Sequence, residues 1–220
     1  MNTNLKFTIS SHKNFYDKTL NIIVPSLLDS GIPSKDIYFF IGGYDVYESM
    51  PNDYDINLYK ASHNSIDFTG LISVIDLTIK SDYWFLCHDT CKAGTKFYSN
   101  IQKHKFNTDT IRLTSESRSM NIGAYKQSYI YGIKDKILSY RGSSDTKYNI
   151  QKLKKRLIDE EDSVLKSDSI GNFNKSPRKI LDYNNIYDSN VKRITEYFPD
   201  IDFYKMKSNW KPKEEYELNI

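Results

Sequence analysis

Short runs that are apolar on both faces alternate along the chain with stripes of apolar residues at helical spacing. Residues 68–79 have apolar side chains at i, i+3, i+4, i+7 and i+11, and residues 15–28 also keep a helical period. The runs that have the composition of buried strands are 6–10, 36–41, 83–87 and 110–114. This alternation predicts an α/β domain whose mostly parallel, Rossmann-like sheet is flanked by helices on both faces.

The length of 220 residues suits a single domain with a substantial core. Residues up to about 140 contain the clearest strands and helices, so we expect them to form the body of the domain. Further short helices are predicted around 130–137 and 150–157. From about residue 141 to 220 the pattern is less regular, and we expect a loop-rich C-terminal cap.

The charge of the chain does not indicate a polyanionic partner. It has 31 basic and 28 acidic residues, and its densest basic run, 152–156, is followed at once by the acidic run 159–162. We therefore expect no nucleic-acid partner. No segment approaches the ~20 apolar residues of a membrane span, and the first thirty residues lack a signal-peptide pattern. Two cysteines four positions apart suit a reducing, cytoplasmic location.

Three polar turns follow predicted strands directly. The carboxyl ends of parallel strands lie at one edge of a sheet, which is where α/β proteins bind ligands. We therefore expect the polar side chains of these turns to lie close together and to form a binding site. The candidate residues are Ser10, Ser11, His12, Asp45, His88 and Asp89.

The third turn, Cys87-His88-Asp89-Thr90-Cys91, allows several interpretations. A structural zinc site usually takes four ligands in two separated pairs, and the sequence has no second Cys/His pair. Cys91 could act as a thiol nucleophile with a nearby histidine as base, although most free cysteines are inert, buried side chains. Asp89 could hold a hard divalent cation or could simply close the turn into the next helix.

Four segments, in this order, resemble the GT-A-fold glycosyltransferases that use nucleotide sugars, including small enzymes of giant viruses and of bacterial surface-glycan pathways. The resemblance covers roughly the first 165 residues. Its segments are Phe-Thr-Ile-Ser-Ser-His at 7–12, 26–33 with Ile-Tyr-Phe-Phe-Ile-Gly-Gly at 37–43, 64–71 with Phe-Leu-Cys-His-Asp-Thr-Cys at 85–91, and Met-Asn-Ile-Gly-Ala-Tyr at 120–125.

The resemblance implies transfer of a sugar from a nucleoside diphosphate to a hydroxyl group of a glycan or glycolipid-type acceptor. Residues 1–140 would be the nucleotide-sugar-binding core, and 141–220 would include the acceptor side. The family has its "DXD" metal motif after the third of these strands, so Mn²⁺ or Mg²⁺ would bind at Asp89, with His88 beside it. Here the motif reads Asp-Thr-Cys, so Cys91 replaces the second carboxylate. Expected donor contacts, each of which could instead be a turn or capping residue, are Ser10, Ser11, His12, Asp45, Asp67 and Arg118.

An inverting transferase also needs a base that takes the proton of the attacking hydroxyl. By resemblance, Glu161 and Asp162 supply it, with Asp162 removing the proton in a single displacement. The alternative interpretation of this acidic pair is a solvated helix end. Two other functions remain open at this point: a non-catalytic nucleotide- or glycan-binding module on the same fold, and a Cys91-dependent hydrolase.

Overall fold

The structure is a computed structural model, which describes residues 3–115, 121–142, 147–183 and 193–208. In chain order its regular elements are β1 Leu5–His12, α1 Tyr16–Asp29, β2 Ile37–Gly42, β3 Glu48–Ser49, β4 Asn57–Lys60, α2 Thr69–Asp76, β5 Tyr83–His88, β6 Cys91–Ala93, α3 Phe97–Gln102, β7 Thr110–Thr114, β8 Gly123–Lys126, α4 Gln127–Gly132, α5 Lys134–Leu138, α6 Lys147–Leu165, β9 Ile170–Asn174, β10 Lys179–Tyr183, β11 Arg193–Phe198 and β12 Phe203–Ser208. Two 3₁₀ turns, Ser34–Asp36 and Ile66–Phe68, precede β2 and α2.

The main sheet has eight strands in the order β3-β4-β2-β1-β5-β8-β7-β9. β1 lies near the centre and runs parallel to both β2 and β5. β4 is parallel to β2 and β9 is parallel to β7, whereas the pairings of β3 with β4 and of β8 with β5 and β7 are antiparallel. The predicted α/β class with a mostly parallel sheet is therefore confirmed.

The central strands are apolar because both faces of the sheet are covered. All six residues of β2 are buried, as are the first five of β5. On one face Phe85 packs against Phe97 of α3 and Phe203 of β12. On the other face Trp84 belongs to a second buried cluster, which includes residues of α2 and α6. Burial on both faces leaves the ends of these strands as the places where polar groups meet solvent.

The expectation of a loop-rich cap after residue 141 was wrong for the described residues. β9 completes the main sheet, and β10, β11, β12 and β6 form a second, four-stranded antiparallel sheet. Its strands mix apolar and polar residues, and polar side chains such as Thr195 and Glu196 of β11 are buried in it. They therefore lack the continuous apolar run of a central parallel strand. Its pairing of β12 with β6 joins parts of the chain more than 100 residues apart, as in the Phe203–Ala93 pair. The boundary near residue 140 therefore does not separate two sheets.

Helix α6 has a carboxylate on its buried face. Leu157, Val164 and Leu165 are buried in the core cluster that covers one face of the sheet. Glu161 lies four residues from Leu157 and from Leu165, so it is in phase with these apolar side chains. Among the described residues, no helix is both long enough and apolar enough to cross a membrane.

Strand β8 depends on a close backbone approach at Gly123. A Cβ added there would lie 2.5 Å from the carbonyl oxygen of Ile111 and 3.0 Å from Cα of Arg112, both backbone atoms of the paired strand β7. Backbone cannot move aside as a flexible side chain can. Only glycine therefore lets β8 fit between β5 and β7 without a shift of the sheet.

We expect Gly123→Ala to destabilise the fold by about 1–3 kcal/mol, the usual range for overpacking. For a domain of this size, each kcal/mol lowers the melting temperature by roughly 2–4 °C. Gly132→Ala is the matched control, because a Cβ at the end of α4 would meet no atom within 4 Å. Thermal unfolding followed by circular dichroism measures both variants. Equal melting temperatures for the two variants would show that β8 and β7 do not approach closely enough at Gly123 to require glycine.

Candidate functional site

Asp89 lies in the turn that directly follows β5, at the carboxyl edge of the sheet. Its backbone N–H donates to the carbonyl oxygen of Ser10 at 3.1 Å, which extends the pairing of β5 with β1. Its Oδ2 accepts hydrogen bonds from Ser11 Oγ at 2.6 Å and from Thr19 Oγ1 of α1 at 3.1 Å. Burial raises the pKa of Asp89, and the two hydroxyl groups oppose this change. Two neighbouring elements thus fix the position of this carboxylate.

His88, the last residue of β5, pairs with Asp67. Its Nδ1 lies 2.9 Å from Asp67 Oδ1, while Asn121 Nδ2 donates to Asp67 Oδ2 at 3.1 Å. Burial acts to raise the pKa of Asp67, but the charge of His88 and these hydrogen bonds outweigh it and lower the pKa to about 2. Burial acts to lower the pKa of His88, but the Asp67 carboxylate outweighs it, so that the pKa is raised. Asp67 is therefore ionised at neutral pH.

The second ring nitrogen of His88 has no partner. Nε2 is buried and makes no hydrogen bond with any residue that the structure describes. The side chain as a whole is 12% exposed. A buried polar atom without a partner loses the hydrogen bond that it would make in water. We therefore infer that a bound molecule could supply the missing hydrogen bond to this nitrogen of His88, the residue that precedes Asp89.

The turn that presents Asp67 has a strained backbone. Ile66 has a φ of 54°, a left-handed conformation that β-branched residues rarely adopt. The turn is held by Ser10, whose Oγ donates to the carbonyl oxygen of Asp67 at 2.8 Å and accepts from the Gly70 N–H at 2.9 Å. Strain of this kind is concentrated at functional sites, where the surrounding structure maintains it.

Glu161 faces the same strand end from α6. Burial raises its pKa to about 7, and the negative charge of Asp67 adds to this rise, while His88 opposes it. Asp162 raises the pKa further, and Lys205 of β12 lowers it. These influences show that Glu161 lies close enough to the Asp67–His88 pair to respond to its charges. A carboxyl group with a pKa near the working pH can both accept and release a proton.

The second sheet contributes Lys205. In register, Lys205 lies opposite Cys91 of β6, and the N–H of its neighbour Met206 donates to the carbonyl oxygen of Thr90 at 2.9 Å. The charge of Lys205 opposes the rise that burial causes in the pKa of Glu161 and of Cys91, and it adds to the lowering of the pKa of Asp67. β12 thus brings a cation to the edge of the sheet that holds the carboxylates.

Only some of the predicted site residues lie close together in the structure. Ser11, Asp67, His88, Asp89 and Glu161 form the interacting group described above, and Ser10 supports it through backbone contacts. His12 lies at the end of β1, where its ring packs on Phe15 at 5.9 Å and its Nδ1 accepts from the Asn14 N–H at 3.3 Å. Asp45 is exposed in the loop after β2. Asp162 lies on α6 beside Glu161, and Arg118 lies outside the described residues.

Three further residues of the site were not assigned a role, although Asn121 lies in the segment 120–125 that carries part of the resemblance. Thr19 holds Asp89, Asn121 holds Asp67, and Lys205 comes from a strand of the second sheet. Their roles depend on tertiary pairing, which no local pattern indicates. The sequence does contain one further indication for Glu161, because a carboxylate on the apolar face of an amphipathic helix is unusual.

The two cysteines have the properties of inert thiols. Cys87 is 1% exposed and Cys91 is fully buried. Burial raises the pKa of Cys91 to about 12, and it raises the pKa of Cys87 well above its ordinary value. A nucleophilic cysteine needs access and a lowered pKa. These features argue against the Cys91-dependent hydrolase.

The side chains suit a divalent cation only if a substrate completes its coordination. Across the described ranges, no group of three or more His, Cys, Asp or Glu side chains is placed to hold a metal ion. Both oxygens of Asp67 accept from His88 or Asn121, and Asp89 is the carboxylate that the resemblance assigns to Mg²⁺ or Mn²⁺. Such ions commonly bind through one or two carboxylates, with substrate phosphates and water as the other ligands. The site fits an ion held in this way.

A cleft of about 870 Å³ lies at the opposite end of the sheet, near the start of β5 and the end of β8. Lys80, Lys126 and Tyr131 are among its lining residues. It includes none of the carboxylates described above, so it is separate from the candidate site.

Comparison with known proteins gives no family for the chain, because no family model matches it and no curated protein is a match.

Proposed function

We propose that the protein is a glycosyltransferase that moves a sugar from a nucleoside-diphosphate sugar to a hydroxyl acceptor with inversion. The observation that carries the proposal is that Glu161, a carboxyl group suited to accept a proton at neutral pH, faces the strand end that presents Asp89. The resemblance of four segments to GT-A-fold enzymes supports the same function. The acceptor class that this resemblance implies is a glycan or a glycolipid-type precursor.

The donor's diphosphate would lie beside Asp89. Ser11 and Thr19 direct the carboxylate, and Asp89 would hold Mn²⁺ or Mg²⁺ together with the diphosphate oxygens. When bound, such an ion stabilises negative charge on a departing oxygen without proton transfer. His88 precedes Asp89 directly in the chain, and its buried Nε2, which makes no hydrogen bond with a described residue, could bind a phosphate oxygen or water. Asp67 keeps the ring of His88 oriented for this contact.

The transfer itself requires removal of one proton. The acceptor oxygen attacks the anomeric carbon while the bond from that carbon to the diphosphate breaks, and the hydroxyl proton passes to a carboxylate. By resemblance this role would belong to Asp162. The electrostatic surroundings favour its neighbour Glu161, since burial and the charge of Asp67 give Glu161 a pKa of about 7.

A second candidate function is a non-catalytic nucleotide- or glycan-binding module. The observation that favours it is the buried Cys91 at the position where the related enzymes have a second carboxylate. Such a module would bind nucleotide with the same affinity after Asp89→Ala and in the presence of a chelator. An enzyme of the proposed type would lose metal-dependent binding and turnover together.

Nucleoside diphosphates and their sugars are expected to raise the melting temperature. A ligand that binds only the folded state stabilises it by about 2.7 kcal/mol at a concentration of 100 Kd. We would measure thermal shifts with uridine, guanosine, thymidine and cytidine diphosphates and with their common sugar derivatives, in Mn²⁺ and in EDTA. The proposal expects at least one base to give a shift that EDTA reduces. Absence of any shift across the panel would count against it.

A further inference from the structure

We propose that Lys205 of the second sheet binds the donor's diphosphate and stabilises it as it departs. This inference rests on the proposed function and adds a named cation to it. The second sheet thereby becomes part of the active site and not only a support for the main sheet. Lys205 lies opposite Cys91, the residue at the position of the second carboxylate in the enzymes that the chain resembles.

The pairing of β12 with β6 places Lys205 at this position. Lys205 lies directly opposite Cys91, which is two residues after Asp89 in the chain. The hydrogen bond from the Met206 N–H to the Thr90 carbonyl oxygen, at 2.9 Å, fixes β12 against that turn. The backbone of the lysine is therefore held beside the candidate diphosphate position, and a displacement of Lys205 would require this pairing to break.

The alternation of side chains along β12 directs Lys205 inward. Phe203 is fully buried and packs against Phe85 and Phe97. Residues two apart in a strand point to the same face, so Lys205 points to the face of Phe203, whereas Tyr204 points away. Tyr204 stacks on Tyr197 at 4.6 Å between ring centroids, and its register partner on β6 is the exposed Lys92. The two lysines therefore lie on opposite faces of the same sheet.

The charges around Lys205 also suit an anion. Its charge acts on Asp67, His88 and Glu161, in agreement with the register that sets Lys205 opposite Cys91, just past the end of β5. Its register partner on β11 is the buried Glu196, which forms an ion pair with Arg178 at 2.5 Å. Asp89 alone would repel a diphosphate. The Lys205 ammonium, whose charge acts on Asp67 and Glu161, would offset this repulsion.

In the transfer step, Lys205 keeps its protons. The bond between the anomeric carbon and the diphosphate oxygen breaks, and its electron pair stays on the oxygen. The Lys205 ammonium donates hydrogen bonds to the diphosphate oxygens as their charge increases, and the acceptor's proton passes to Glu161. Hydrogen bonds between charged partners are about twice as strong as those between neutral groups.

Binding of uridine and guanosine diphosphates, the matching nucleosides and inorganic pyrophosphate tests this inference. Titration calorimetry would compare the wild type with Lys205→Gln, Lys205→Arg and the control Lys92→Gln. We expect Lys205→Gln to weaken diphosphate and pyrophosphate binding about tenfold or more, and to leave nucleoside binding unchanged. Lys205→Arg should restore most of the affinity because it keeps the charge. Lys92→Gln should bind as the wild type does, and unchanged melting temperatures would establish that all the variants fold.

The outcomes separate this inference from the proposed function. Diphosphate binding that is equal in the wild type and Lys205→Gln would overturn the role of Lys205 and leave the glycosyltransferase proposal intact. Pyrophosphate binding that Lys205→Gln loses, without binding of either nucleoside diphosphate, would support the anion site and count against the donor class. Loss of nucleoside and diphosphate binding to the same extent would overturn the inference, because it would indicate a general distortion.

Discussion

Glu161→Gln is expected to abolish sugar transfer and, at pH 8, to make the protein more stable. A positioned general base contributes about 10²–10⁴-fold to the rate, so we expect a loss in this range. Because the working form is the carboxylate, wild-type activity should rise with pH through about 7, the pKa of Glu161. Burial is the main cause of this raised pKa, and the charged groups that adjust it are Asp67, His88, Asp162 and Lys205. Initial rates measured from pH 5.5 to 8.5 test this dependence.

The gain in stability follows from the same raised pKa. In the folded protein the Glu161 carboxyl keeps its proton up to about pH 7, whereas the ordinary value for the unfolded chain is 4.5. Between these values the unfolded state binds fewer protons, so the free energy of unfolding falls as pH rises. The loss of stability caused by ionising the buried Glu161 is complete above pH 7 and absent below about pH 4.5. Removing the charge should therefore stabilise the protein by about 1–3 kcal/mol at pH 8 and have little effect at pH 4.5.

Asp159→Asn is the matched control, because Asp159 is exposed on the same helix. It should change neither the rate nor the melting temperature measurably. A Glu161→Gln variant that kept wild-type activity would show that another group takes the proton, and the same substitution at Asp162 would then be the next to examine. If Glu161→Gln were less stable than the wild type at pH 8, the ionised Glu161 carboxylate could not be destabilised by burial.

Asp89→Asn is expected to cost at least about a hundredfold in donor turnover. A bound divalent ion supplies several kcal/mol of charge stabilisation, and each 1.36 kcal/mol corresponds to a factor of ten in rate. The substitution should also remove the dependence of nucleoside-diphosphate affinity on Mn²⁺. Because burial already raises the pKa of Asp89, the neutral amide should be tolerated with little loss of stability. Steady-state rates and calorimetric titrations with and without EDTA measure both effects.

Asp53→Asn is the control, since Asp53 is exposed in the loop before β4. Ser11→Ala is expected to have an intermediate effect, because Ser11 holds Asp89 without touching the ligand. Partners of this kind usually contribute about 10–100-fold to metal affinity. If Asp89→Asn left both turnover and metal dependence unchanged, Asp89 would have only the role of closing the turn after β5.

The central part of the fold could be predicted because burial on both faces has an unambiguous pattern. β1, β2, β5 and β7 are such strands, and all four were predicted. β8 has four residues and depends on a close approach at Gly123, while β4 is similarly short, so neither has a distinct pattern. The strands of the second sheet mix polar and apolar residues without a regular period. In addition, β12 pairs with β6, which is far away in the chain. Their pairing is set by tertiary packing.

The candidate site could be predicted where topology alone decides it. Asp89, His88 and Ser11 meet because adjacent parallel strands end at one edge of the sheet. The interaction of His88 with Asp67 could not be predicted, since it depends on the strained turn at Ile66. Lys205 could not be predicted because its position follows from a strand pairing between distant segments.

Release of nucleoside diphosphate from a panel of nucleotide sugars would decide whether the protein is a glycosyltransferase of the proposed type. The panel would contain UDP-glucose, UDP-galactose, UDP-N-acetylglucosamine, GDP-mannose, GDP-fucose and dTDP-rhamnose, each with Mn²⁺ or Mg²⁺, and the enzymes would be the wild type, Asp89→Asn and Glu161→Gln. The account predicts that the wild type turns over at least one donor, that this donor raises the melting temperature, and that both variants fail to release its diphosphate. Saturating donors that are neither hydrolysed by the wild type nor able to raise its melting temperature would contradict the account.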